Sequence, residues 1–415
     1  MALTPAIIYF QPKYLSPSVV ATLGYVVFAV TLVGRPIGSI LFGHLGDVIG
    51  RRRATLIAVG GFAVVTFLIA LLPGYATWGY GAIVVLTLLR LVDGVFMGGE
   101  YSGAPPLAME ACPKRLRGLV AGLIQSSYPI AFVAISLTVV ILLAVFRSGD
   151  VDSPYVQWGW RIPFLLGGVL AGVFLLYYRR VEESKAWQEA VRDRPVQAPL
   201  KQLFRGDNLR TLVQVFVLMS GQWLAVQAAS AAVPGLLQNY FHEPARGVTY
   251  GLLAGNAVLA GCFVGCAVLG QRFGRRRMFM IAGAWMLVIG TLSFALLVVN
   301  ARSGGSLVVT MVWGTVSLVF NMCSWGMVTS YINERFATGV RASGYGVGYS
   351  LAVAVPSFYS FFMLGLGRVM PFEFTPLVLT AVAGACTLLG AWMGPETREV
   401  DLAERVAVAP SQPAG

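Results

Sequence analysis

Apolar stretches of about 20 residues, enough to cross a bilayer core as a helix, recur along the whole chain between short polar connections. They predict complete spans near 18–42, 54–73, 79–105, 118–146, 160–178, 209–240, 249–271, 278–299, 307–331, 342–367 and 375–393. The longest charged interruption, 179–208, holds Arg179, Arg180, Glu182, Glu183, Lys185, Arg192, Arg194 and Lys201 and predicts a cytoplasmic linker. The expected organisation is a first helix bundle over 1–178, this linker, a second bundle over 209–394, and a cytoplasmic tail over 395–415. The tail is polar, then Ala- and Pro-rich, and is expected to be disordered.

Two polar signatures each occur twice. GHLGDVIGRRR (43–53) is echoed by LGQRFGRRR (269–277), and EACPKRLRG (110–118) by ERFATGVRASG (334–344). Gly50 then matches Gly274, Arg51 matches Arg275, Glu110 matches Glu334 and Arg117 matches Arg341. Residue 274 less 50, and 334 less 110, both give 224. One shared offset means that a single membrane unit is written twice, an architecture of solute transporters with the substrate site between the halves. Residue 1 corresponds to residue 225, inside the span 209–240, so MALTPAIIYFQPKY reads as the outer end of a first helix. The inner part of that helix, about sixteen residues at normal span length, is expected to be missing, through a late start codon or a natural truncation. No basic region or cleavage site marks the segment as a signal peptide.

Composition agrees with the periodicity. Of 415 residues 57% are hydrophobic and only 12% charged, with a mean hydropathy of +0.74, against roughly 25% charged in soluble domains. The net charge of +12 does not imply a nucleic-acid partner. Arg51, Arg52, Arg53, Lys114, Arg115, Arg117, Arg272, Arg275, Arg276, Arg277, Arg335 and Arg341 fall on alternate loops, which the positive-inside rule assigns to the cytoplasm. Four of the five cysteines lie in apolar spans and Cys112 in a cytoplasmic loop, so no disulfide framework is expected. Cys262 and Cys266 lie one turn apart but have no companion ligands, and the only histidines are His44 and His242, so neither a metal nor a cofactor is expected.

The repeated motifs resemble those of the major facilitator superfamily over nearly the whole chain. GHLGDVIGRRR resembles its loop between helices 2 and 3, RLVDGVFMGGE (90–100) its fourth-helix motif, and PETR (395–398) the ending after helix 12 in sugar-porter relatives. GRPIGSILFGHLGD (34–47), GGEYSGA (98–104) and WGWRIPFLL (158–166) are similar to the metabolite:proton symporter branch, whereas RRVEESKAW (179–187) is similar to lactate and sialate symporters. The resemblance implies an all-α membrane protein of two six-helix bundles related by pseudo-symmetry, with helix 1 truncated. It also implies a monomer in the bacterial cytoplasmic (inner) membrane that takes a small organic acid or a zwitterion. Three departures stand out: Gln271 replaces the second aspartate, Asp93 stands where relatives usually have glutamine, and the early first-helix segment is absent.

Ionisable groups inside a bilayer are costly and mark function by default. The central spans hold four: Arg35, Arg90, Asp93 and Glu100. Asp93 and Glu100 are seven apart on one helical face, Arg90 is three before Asp93, and Arg35 is expected at the depth of Glu100, within reach of a pair. Water-poor surroundings favour a neutral carboxyl while a nearby arginine favours the charged one. A substrate anion at Arg90 would thus compete with Asp93 and link binding to protonation. The alternative is a static set of buried pairs. The second half offers neutral groups for a substrate wall, namely Gln222, Trp223, Gln227, Asn256, Asn321, Trp325, Tyr345 and Tyr349, each of which also suits plain helix packing. Gly43, Gly46, Asp47, Gly50 and Arg51, with Glu110, Arg117, Gly274, Arg275, Glu334 and Arg341, are expected to latch the halves in one state and release them in the other. No Ser–His–Asp or Cys–His arrangement suggests an enzyme. The expected activity is proton-coupled import of a small organic acid by alternating access. The alternatives are a betaine- or proline-like symporter, a uniporter, or a truncated protein that no longer transports. SSYPIAF (126–132) lacks the glycine-proline pattern of drug antiporters.

Overall fold

The computed structural model describes residues 4–12, 17–147, 150–193 and 199–402, and these are helical with no strand. Eleven long helices organise them: α1 (Pro17–Val48), α2 (Arg51–Leu71), α3 (Tyr80–Ala111), α4 (Lys114–Val145), α5 (Tyr155–Tyr178), α6 (Gly206–Gln238), α7 (Ala245–Phe273), α8 (Arg275–Arg302), α9 (Leu307–Arg335), α10 (Thr338–Leu366) and α11 (Phe372–Met393). The ten from α2 onward are long and apolar enough to cross a membrane, and α1, with 32 residues, packs along α3. Leu71, Val145 and Val308 are each more than two-thirds exposed. Such outward apolar surface suits hydrocarbon as the solvent.

Several helices run further toward the cytoplasm than hydropathy predicts. The span 18–42 extends to Val48 and the span 79–105 to Ala111, because the charged residues there are buried and paired with one another rather than turned to water. The halves also differ from a plain bundle. A π turn interrupts α6 at Gln227–Ala231 and another interrupts α8 at Met286–Gly290, while α10 tightens into 3₁₀ turns at Leu351–Val353 and Pro356–Phe358. Irregular backbone within a span is tolerated where protein or a cavity surrounds it.

In the first half α1 and α3 touch backbone to backbone. A Cβ added at Gly38 would stand 1.8 Å from the Val95 carbonyl oxygen, and one at Gly98 would stand 2.1 Å from that of Arg35. Gly34 and Gly94 make the same crossing one turn away. Small residues four apart are how membrane helices reach such proximity.

The opening segment forms a short 3₁₀ helix, Thr4–Phe10, rather than the outer turns of a spanning helix. It is held by Arg161, whose guanidinium lies 4.8 Å from the Tyr9 ring and 4.6 Å from Trp160, with a hydrogen bond of 2.9 Å to the Leu72 carbonyl. The linker contains two short helices, Lys185–Asp193 and Pro199–Leu203. The expected disorder after Pro395 is corrected for 395–402. Thr397 and Leu402 are buried there, because polar groups at the cytoplasmic end of the second half bind this stretch. Residues 403–415 lie outside the described residues.

Candidate functional site

The cytoplasmic signatures fold into the same device twice. Gly50 and Gly274 start α2 and α8 with φ of 103° and 104°, a left-handed turn that only glycine adopts freely. Asp47, at the end of α1, accepts hydrogen bonds from the backbone N–H of Ala342 (3.0 Å) and Ser343 (2.9 Å), capping the first turn of α10 in the other half. The repeat maps Asp47 onto Gln271 and Ala342 onto Gly118. The Gln271 side-chain oxygen accepts from the Gly118 N–H at 3.1 Å and from Arg275 Nη2 at 2.8 Å. The second copy therefore loses its acid and keeps a capping oxygen.

Buried ion pairs complete each copy. Arg51 reaches Asp47 (3.3 Å) and Glu110 (3.4 Å), while Arg341 from the second half meets the same Glu110 oxygen at 2.6 Å. Arg275 holds Glu334 through Nε (2.5 Å) and Nη2 (2.8 Å). Arg117, the partner of Arg341 in the repeat, instead donates to the Val400 carbonyl at 2.7 Å. Two further acids escaped the sequence reading. Glu183 accepts from the Arg52 N–H at 3.0 Å, and Glu396 from the Arg275 N–H at 2.8 Å. Each lies just beyond the last helix of its half and caps α2 or α8. The available signal was an acid in both VEES and PETR at that place.

Toward mid-membrane, Ser39 Oγ donates to Ser350 Oγ (2.6 Å) and Gln125 Nε2 to Thr329 Oγ1 (3.1 Å), again between halves. These hydrogen bonds between the halves run from Asp47 and Gln271 at the cytoplasmic ends of the helices to Ser39 and Gln125 near mid-span. The molecule is closed toward the cytoplasm.

Above this closure lie the intramembrane charges. Arg90 Nη1 and Asp93 Oδ2 pair at 3.1 Å, with Asp93 only 5% exposed in its side chain and its Oδ1 without a hydrogen bond. Arg35 does not form the anticipated pair with Glu100. Its guanidinium stacks 5.9 Å from the Trp223 ring of the second half, still near enough to act on the charges of Asp93, Arg90 and Glu100. Glu100 is exposed. The repeat maps it onto Ser324 of α9.

The second half supplies an aromatic cluster. Trp223 meets Trp325 at 4.8 Å and Tyr349 at 5.4 Å edge to face, and Tyr345 stacks on Tyr349 at 5.6 Å. Trp223 is fixed by its Nε1 donating to the Tyr349 carbonyl at 2.8 Å. Tyr101 from α3 stacks on Tyr349 at 4.7 Å and closes the group across the interface. Sequence reasoning missed Tyr101, although the offset places it opposite Trp325. Three expected members are elsewhere. Gln222 is fully buried, donating to Thr387 and accepting from Ser324, so its amide packs α6 against α9 and α11. Asn256 is buried and donates to the Leu252 carbonyl of its own helix. Asn321 likewise bonds within α9, to Ser317.

A family model, the Major Facilitator Superfamily, matches residues 1–359, and the chain belongs to that superfamily. The inner membrane metabolite transport protein YhjE of Escherichia coli is 29% identical, over 96% of this chain and 90% of its own length. The shikimate transporter of the same organism is 30% identical, over 85% and 80% respectively. Among solved structures, the proton:xylose symporter XylE superposes with a TM-score of 0.72 at 19% identity, covering 97% of this chain and 95% of that one. The fold is thus the major facilitator fold, in a secondary transporter of the metabolite type, integral to the inner membrane.

Proposed function

We propose that the chain imports a small organic acid together with a proton by alternating access, with Asp93 carrying the proton and Arg90 and Arg35 receiving the anion. The observation that carries this reading is the Arg90–Asp93 pair at 3.1 Å, mid-way along a membrane helix, with one carboxylate oxygen lacking a partner. A charged Asp93 holds Arg90. Protonation removes that charge and leaves the guanidinium to a carboxylate on the substrate, and deprotonation on the cytoplasmic side reverses the exchange. Trp223, with Tyr349 packed edge to face against it, provides an aromatic wall beside Arg35. The acid class is supported by the shikimate transporter and by the alpha-ketoglutarate permease of Escherichia coli, 28% identical over 84% of this chain.

A second reading, a zwitterion symporter, is favoured by the exposed Glu100 carboxylate and by aromatic faces suited to a quaternary ammonium. The proline/betaine transporter of Escherichia coli, 27% identical over 82% of this chain, is a relative of that kind. Uptake of shikimate, alpha-ketoglutarate and betaine into proteoliposomes under an imposed pH gradient separates the two. Asp93→Asn should abolish gradient-driven accumulation of the transported compound while leaving counterflow exchange. Unchanged accumulation would remove Asp93 from proton coupling. Arg90→Lys should weaken binding by losing the two-pronged contact of guanidinium with carboxylate.

A further inference from the structure

A cleft of about 370 Å³ opens on the outside of the second half, between the cytoplasmic ends of α7 and α8. Leu269, Phe273, Arg277, Met278, Ile281 and Trp285 line it. Trp285 meets Phe320 of α9 edge to face at 5.6 Å, which fixes its indole as one wall. The cations at the mouth are unlike their neighbours in sequence. Arg275 holds Glu334, and Arg276 donates to the Trp392 carbonyl. Arg272 and Arg277 are exposed, and neither pairs with an acid among the described residues. Arg272 lies 5.5 Å from the Phe273 ring instead, beside the cleft.

The cleft continues toward mid-membrane as a smooth track. Gly261 and Gly265 precede Leu269 and Phe273 at steps of four along α7. Both glycines are exposed, and a Cβ added at either would meet nothing within 4 Å. A row of this length covers about 18 Å of helix axis, more than one leaflet's share of the roughly 30 Å hydrocarbon core. The first half has no counterpart. The shared offset places Ile37 and Leu41 opposite Gly261 and Gly265, and Gly61 opposite Trp285. Ile37 and Leu41 project outward there, and the Phe96 ring, which matches Phe320, lies over Gly61. A requirement of bundle packing would recur in both copies, and this feature does not.

We propose that the groove seats one anionic phospholipid of the cytoplasmic leaflet, with its headgroup phosphate received by Arg277 and Arg272 and one acyl chain laid along Leu269, Gly265 and Gly261 beside Trp285. The cytoplasmic leaflet carries negative charge that attracts such arginines, and a guanidinium offers phosphate two parallel donors. A soluble phosphate would leave the apolar track unfilled, so the occupant is a lipid. The groove faces the bilayer rather than the Arg90–Asp93 pair, and the site is independent of what the protein carries.

Lipid contact at Trp285 tests this. The full chain is reconstituted in phosphatidylcholine vesicles holding a minor share of phosphatidylglycerol. In one preparation the phosphatidylglycerol chains are brominated, and in the other an equal amount of the phosphatidylcholine. Trp285→Phe keeps a ring against Phe320 and defines, by difference, the fluorescence that belongs to Trp285. Quenching of that share should favour brominated phosphatidylglycerol roughly 5-fold, the gain expected from one arginine at an anionic surface. Arg272→Gln/Arg277→Gln should bring the two lipids level, and Gly261→Leu/Gly265→Leu should cut quenching by phosphatidylglycerol by obstructing the track. Equal quenching by the two lipids without either double variant would overturn the site, as would a preference that survives both. The altered positions are all exposed, and the comparison of the two lipids decides even where a double variant folds poorly.

Discussion

Single side chains decide how the cytoplasmic face is held. Gln271 looks in the sequence like a lost acid, yet its amide oxygen caps α4 and steadies Arg275. Gln271→Ala should lower stability by about 1–3 kcal/mol, the usual cost of leaving buried donors unmet, while Gln271→Asp should be close to neutral because Asp47 fills the same role in the other copy. Glu334→Ala leaves Arg275 buried with its counter-charge gone and should cost about 3–5 kcal/mol. Thermal unfolding of the purified protein in detergent checks all three, and equal melting temperatures would show that these buried contacts are inert. Side-chain type alone did not separate Gln222 from Trp223. Both are polar-capable residues on one span, and only the neighbouring helices reveal that the amide is sealed between α9 and α11 while the indole meets Arg35.

At the level of helices, the apolar periodicity located the spans but ended them short of the motifs, because a hydropathy average treats Asp47, Arg51 and Glu110 as polar although each is buried against a partner. The duplicated offset was the stronger signal. It correctly aligned Gly50 with Gly274, whose backbone angles agree, and applied once more it would have found Tyr101. What it could not reveal was the crossing of α1 and α3, which depends on which faces meet. Gly38→Val should prevent that crossing and sharply reduce the monodisperse yield in size-exclusion chromatography. Gly172→Val, on α5 with open space around it, should leave the yield unchanged. Similar yields for the two would mean that backbone contact is not what joins α1 to α3.

For the molecule as a whole, the closed face is unequal on its two sides. The α1–α10 seam carries Asp47, Arg51, Glu110 and Arg341, whereas the α4–α7 seam is bridged by the neutral Gln271. Asp47→Ala should therefore increase maleimide labelling of Thr329→Cys from the cytoplasmic side more than Gln271→Ala does. Equal increases would mean that charge at the first seam adds nothing to closure.

The glycine crossing has a mechanical corollary for the charges above it. Arg35 rides on α1, and Arg90 and Asp93 ride on α3, two rods whose backbones touch at Gly34, Gly38, Gly94 and Gly98. These three groups travel as one rigid freight when the protein tips. Tilting can lift Arg35 off Trp223, but it has no lever with which to pull Arg90 from Asp93. In the proposed cycle that couple is parted by chemistry alone, by an arriving hydrogen ion or a rival anion.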